Sequence, residues 1–152
     1  MTGNINNMIK IVTVLMLFNC CVFKSEPNTV NISINNQNYG WYFVELKQDT
    51  SMKDLKSIDI NIDSTLQLKE ITVGNYQNYA FKVFDNAGNE ISANMKLPRF
   101  VSRFGKRFFS FYNPTKKELE LIKNWDPTDP NFLEINYASD TQLKLMIERK
   151  SP

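Results

Sequence analysis

The sequence predicts a mainly β domain: an antiparallel sandwich or half-barrel of about seven or more strands, with one α-helix late in the chain. Three observations predict it. Apolar residues recur at every second position in several short segments, beginning with Val30, Ile32 and Ile34, the period of a half-buried strand. Clusters of Asn, Asp and Gly separate these segments at hairpin spacing. No strand alternates with a long helical pattern, which disfavours βαβ units.

The elements follow in order. Val30 to Ile34 is a strand, and Asn35 to Gly40 is dense in turn formers. Trp41 to Lys47 returns as a very aromatic strand, so the two form a first hairpin. Asp49 to Lys56 is polar and reads as a loop with a helical turn. Ile58, Ile60 and Ile62 alternate with Asp59, Asn61 and Asp63; Leu66, Leu68, Ile71 and Val73 continue the pattern past a slip near Lys69 and Glu70, read as a bulge. Gly74-Asn75 is a turn. Tyr79 to Asp85 is a strand, Asn86 to Asn89 a hairpin turn, and Glu90 to Met95 its partner strand, interrupted at Pro98. Phe108 to Tyr112 is apolar on both strand faces and suits a central strand covered on both sides. Thr115 and Glu118 make a capping box; alternatively Asn113 caps with Pro114 at the first helical position. Leu119, Ile122 and Trp125 would be the buried stripe of that helix, and Asp126-Pro127 its end. Phe132 to Ala138 and Thr141 to Arg149 read as two final strands, with Leu143, Leu145 and Ile147 on the buried face.

The start of the chain reads as an address. Lys10 supplies a positive charge, and Ile11 to Phe18 is apolar apart from Thr13. About eight such residues fit the core of a secretory signal, whereas a membrane-spanning helix needs about 20. Met1 to Asn7 is polar and uncharged, so Met8 is an alternative start. Both cysteines, Cys20 and Cys21, sit where the apolar run ends. Neighbouring cysteines lie too close to pair readily. The organisation expected is a signal over residues 1–21, a tether over 22–28 and one β-rich domain over 29–150.

Composition excludes several functions. About 130 residues remain after the signal, enough for one real core. The net charge of the whole chain is +2, which implies no general affinity for nucleic acid. The chain has no histidine, so the commonest general base and metal ligand are missing. There is no G-x-S-x-G and no triad, and nothing points to a Ser–Lys pair, so no cofactor or catalytic residue is implied.

Four clusters are candidate sites. Arg99, Arg103, Lys106 and Arg107, among phenylalanines, could bind a phosphate, an anionic glycan or lipid headgroups; the plainer reading is edge charges that keep an aromatic strand soluble. Asp59, Asn61, Asp63 and Glu70 fall at the first, third, fifth and twelfth places of a calcium loop. Ser64 stands where that loop needs Gly, and the isoleucine alternation favours the solvated face of a strand, so no metal is predicted. Tyr39, Trp41 and Tyr42 could stack on a sugar or simply fill the core. Asp126, Asp129 and Glu134 could do acid–base work, but their spacing is that of a loop.

Leu17-Phe18-Asn19-Cys20 resembles a bacterial lipobox, in which cleavage before a Cys precedes its lipidation. Cys20 is then the lipid attachment site, with Cys21 the alternative. Together with Asn31-Ile-Ser-Ile34 and Tyr39-Gly-Trp-Tyr-Phe-Val44, this resembles a family of small uncharacterised bacterial lipoproteins. The resemblance implies an envelope β-domain on the periplasmic or surface face, anchored by lipid, with no catalytic residues. The function expected is binding or scaffolding. Alternatives are an inhibitor or immunity-type protein acting on an envelope protein, and a carboxylate-dependent hydrolase. The partners expected are the membrane, through the lipid, and an envelope protein or an anionic glycan or lipid.

Overall fold

The computed structural model describes residues 26–122, 125 and 129–150. The signal-like segment, Cys20, Cys21 and Asp126 lie outside the described residues. Among the described residues, seven strands form two sheets, as the sequence predicts, with no closed barrel. They are β1 (Asn28–Ile34), β2 (Gly40–Gln48), β3 (Ser57–Ile62), β4 (Lys69–Val73), β5 (Tyr79–Phe84), β6 (Lys96–Arg103) and β7 (Lys106–Asn113). A short helix α1 (Lys116–Leu121) and a long helix α2 (Pro130–Lys150) follow.

The first sheet has the order β3-β1-β5 and the second β4-β2-β7-β6. Each of the first five connections therefore crosses from one sheet to the other. Every crossing turns the chain back, so successive strands of one sheet run the same way. Both pairings in the first sheet are parallel, and so is β2 with β4. Among the described strand pairings, β2–β7 and β6–β7 are antiparallel. This corrects the antiparallel expectation and the first hairpin: Asn35 to Tyr39 is an arch between sheets. The slip near Lys69 is likewise the start of a new strand in the other sheet.

Each face of the second sheet has its own core. Tyr42, Val44, Leu46, Phe109 and Phe111 meet Val30, Ile32, Ile34 and Val83 of the first sheet. Tyr42 stacks on Phe111 with ring centroids 5.1 Å apart, and Phe81 on Phe109 at 4.2 Å. On the opposite face, Trp41, Phe43, Phe108 and Tyr112 meet Leu143 and Met146 of α2. The prediction that Phe108 to Tyr112 is covered on both sides therefore holds.

The C-terminal region departs most from expectation. Residues 130–150 form one helix rather than two strands. Its buried positions are Phe132, Ser139, Leu143 and Met146, spaced as one face of a helix. Leu145, placed on the buried face by strand alternation, is exposed. Sheet contact decides the conformation over the β-like local sequence, and Arg149 and Lys150 in the last turn suit the helix dipole.

Other local readings resolve as follows. The capping box of Thr115 and Glu118 forms, but α1 is short: Leu119 is 43% exposed, and only Ile122 is fully buried. Phe84 and Glu90 make a single bridge, and a 3-10 turn at Ser92–Asn94 replaces the expected partner strand. Pro98 lies inside β6, where the register shifts between Lys96 and Arg99, at the edge and bulge position a strand proline tolerates. Phe104 and Gly105 both have positive φ, 53° and 71°, and join β6 to β7 in a two-residue hairpin of the kind that matches strand twist.

Gly40 opens β2 at φ 125°, which L-residues avoid. A Cβ there would meet Thr65 Cγ2 at an ordinary 3.6 Å, so the obstacle is backbone, not packing. Gly40→Ala should lower unfolding stability in urea by roughly 1–3 kcal/mol. Gly105→Asn should cost far less, since Asn tolerates the left-handed region.

Candidate functional site

The second sheet divides at one end. The β2–β7 pairing stops at Glu45 opposite Phe108. Beyond it, Leu46, Lys47 and Gln48 stay with β4, while Lys106 and Arg107 stay with Arg103 and Ser102 of β6. The gap between the two strand pairs is an open cleft of about 520 Å³. Its walls carry Lys47, Lys106 and Arg107, with Glu45, Val73 and Tyr76 beside them.

Glu45 is the electrostatic centre of this end. Alternation along β2 turns it to the same face as Trp41 and Phe43, and it is only 3% exposed. A buried carboxylate needs charged partners to remain in place. Lys106 Nζ lies 2.9 Å from Oε1, and Lys150 Nζ lies 3.5 Å from Oε2. Lys150 also contacts Glu70 at 2.9 Å, and Glu70 contacts Lys47 at 2.7 Å. The last described residue of α2 is thereby tied to both β2 and β4. Hydrogen bonds from Lys150 and then Lys47 pull Glu70 from 4.5 down to about 2. The hydrogen bond to Glu70, chiefly, pushes Lys150 up. Lys47, Lys106 and Lys150 face the two carboxylates Glu45 and Glu70, so this cluster keeps positive charge.

The cationic cluster read from the sequence is divided by the strand pleat. Arg99, Arg103 and Lys106 share the helix-facing side of the second sheet, as their pairing with Ser110, Lys106 and Arg103 requires. Arg99 donates to Asn136 Oδ1 at 2.6 Å and sits 5.3 Å over the Trp41 ring. Burial, above all, holds its guanidinium below the usual value. Arg103 pairs with Asp140 at 3.1 Å. Arg107 points to the other face, 4.6 Å over the Tyr76 ring. Arg99 therefore fastens α2, and only Lys106 and Arg107 line the cleft. The sequence cluster does not include Lys47, Lys150 or Glu45; the signal for them is the oppositely charged residue inside the aromatic run Trp41 to Lys47.

The remaining candidates disperse. Asp59 and Asn61 lie on the outer face of β3, where Asn31 Nδ2 donates to Asp59 Oδ1 at 2.7 Å and Asn61 Nδ2 to Asp63 Oδ1 at 2.8 Å. Glu70 is in the other sheet. Among the described residues, no group of three or more acidic, His or Cys side chains could hold a metal ion. Trp41 and Tyr42 are buried on opposite faces, and Tyr39 is exposed, so the three form no platform. Burial pushes the Tyr42 hydroxyl up to about 12, and it donates to the Asn38 carbonyl at 2.8 Å.

Asp129 accepts from the Asn131 backbone and side-chain amides, at 2.8 and 3.1 Å. Glu134 lines a second cavity of about 360 Å³ with Trp41, Tyr112 and Glu118. Burial raises Glu118, but hydrogen bonds from Tyr112 and Thr115 outweigh it and leave the carboxyl low. A low carboxyl committed to a helix cap is poorly suited to general-acid work.

No family model and no curated protein matches the chain. Among solved structures, a protein described as "Putative Lipoprotein from Bacillus anthracis" is similar over 78% of this chain and 94% of its own, with 9% identity and a TM-score of 0.37. Among the described residues, no helix is long and apolar enough to cross a membrane.

Because Glu70 titrates lower folded than unfolded, its contribution is present above about pH 4.5 and is lost as pH falls towards 2. Glu70→Gln should flatten the fall in thermal stability across that window. A wild-type slope retained in the variant would assign the acid sensitivity to other groups.

Proposed function

We propose that this chain is a lipid-anchored protein of the bacterial envelope whose β-domain binds an anionic group and performs no chemistry. One observation carries the binding reading: the cleft where β2 and β7 part is walled by Lys47, Lys106 and Arg107. Of these, Arg107 has a tyrosine ring rather than a carboxylate beneath it, which leaves its guanidinium edge available to a bidentate oxyanion. The reading of the anchor rests on the sequence: the apolar run to Phe18, closed by Cys20, offers a lipobox-like junction.

The two halves have separate tests. A chain labelled with a radioactive fatty acid should carry label, and Cys20→Ala should carry none; equal labelling would move the site to Cys21 or remove it. Titration with inorganic phosphate, followed by amide NMR shifts, should perturb Tyr76, Lys106 and Arg107 and leave the outer face of β3 unmoved. Arg107→Glu should abolish those shifts. Absence of any shift in the wild-type protein would count against the cleft as an anion site.

A further inference from the structure

We infer that the end of the domain carrying the cleft is a membrane-contacting surface, and that the anionic group it meets is a lipid headgroup of the leaflet holding the anchor. This rests on the proposed anchor and cleft, and it deepens them by naming the partner.

The first argument is where the chain enters. Asn28 pairs with Tyr79 at the start of β5, three residues after Tyr76, over which Arg107 lies at 4.6 Å. Thr29 donates its backbone N–H to the Lys56 carbonyl at 3.0 Å, so the loop of residues 49–56 is at the same end. The entry point, that loop and the Phe104–Gly105 hairpin therefore share one end of the sandwich. From Cys20 to Asn28 is eight residue steps, at most about 28 Å of extended chain. A lipid at Cys20 holds the entry end within that distance of the bilayer.

The second argument is what this end displays. The hairpin puts Phe104, 55% exposed, at its tip. Arg103, Lys106 and Arg107, all exposed, flank it. The neighbouring loop adds exposed Met52 and Leu55, each followed by an exposed lysine, Lys53 and Lys56. Asp140 and Glu45 are paired with Arg103 and Lys106, while Asp49 and Asp54 keep their charge in hydrogen bonds from Ser51 and from Asn75 and Asn78; the cations left to meet a headgroup are Arg107, Lys53 and Lys56. An exposed aromatic tip and aliphatic side chains ringed by cations suit the headgroup region of an anionic leaflet. Isolated exposed apolar residues are ordinary; here they coincide with the cations and the entry point.

The test uses the full chain with Phe104→Trp, and with Leu55→Trp as a second reporter in case the hairpin does not accept Trp. In vesicles containing phosphatidylglycerol, the new Trp should shift to the blue and be quenched by brominated acyl chains. In phosphatidylcholine vesicles, or with Arg107→Glu in anionic ones, quenching should fall, and partitioning of the Cys20→Ala chain should drop at least about fivefold per cation lost. An unquenched reporter in anionic vesicles overturns the inference, as does equal quenching in both vesicle types. Cross-linking of position 104 to a protein rather than lipid in native membranes would also overturn it. Failure of the anchor reading reads out separately, as absent fatty-acid label with quenching retained.

Discussion

Strands β2 and β7 are apolar on both faces, and the architecture follows from having to cover both. Tyr42, Val44, Phe109 and Phe111 point one way; Trp41, Phe43, Phe108 and Tyr112 point the other. Leaving either set in water would forfeit roughly 1.5–3 kcal/mol for each large side chain. The first sheet covers one face. The other needs α2, and its contacts are distributed along its length. Trp41 Nε1 donates to the Ile135 carbonyl at 2.8 Å, and Gln142 Nε2 donates to the Trp41 and Thr65 carbonyls at 2.9 and 2.6 Å. Arg99 and Arg103 hold Asn136 and Asp140, and Lys150 reaches Glu45 and Glu70. The helix is thus a structural wall of the second core.

The same constraint explains where polar chemistry gathers. As long as β2 and β7 stay paired, their faces are sealed. Once pairing stops after Glu45 and Phe108, the sheet opens and charged residues take over from aromatic ones. Glu45 stands at that boundary, close enough to the core to be buried and close enough to the opening to draw in Lys106 and Lys150. Removing either lysine leaves a buried carboxylate less compensated, a costlier change than loss of an exposed ion pair. The cleft and its charge are therefore a consequence of ending a doubly buried strand pair, and the proposed binding role makes use of it.

Much of this was legible in the sequence because it is local. The alternation of Val30, Ile32 and Ile34, the doubly apolar run at Phe108 to Tyr112, and the Thr115–Glu118 capping box each depend on residues close together. Sheet membership is not local: nothing in Asn35 to Gly40 distinguishes a hairpin from an arch. The Phe104–Gly105 turn was hidden because Phe at positive φ is unusual, and the Arg-Phe run around it looked continuous. Helix α2 reads locally as strand because Tyr137, Thr141 and Ile147 favour strands, while Trp41 and Phe108, which decide the matter by packing, lie far away in sequence. The site was half visible. Four cations were seen as one cluster, but the pleat divides them, and the partners Glu45 and Lys150 are distant from them in the chain.

On the proposed membrane contact, the two ends of the sandwich lie at different depths, the cleft end nearer the bilayer. The opposite end is marked by Asn36, whose carbonyl accepts from Asn113 Nδ2 at 3.3 Å. Energy transfer to an acceptor dye in the bilayer surface tests this directly, from donors at Ser102→Cys and at Asn36→Cys in otherwise full chains with Cys21→Ser. Strands of this length separate the two donors by about 25 Å. Stronger transfer is expected from position 102 than from position 36. Equal transfer, or stronger transfer from position 36, would contradict it.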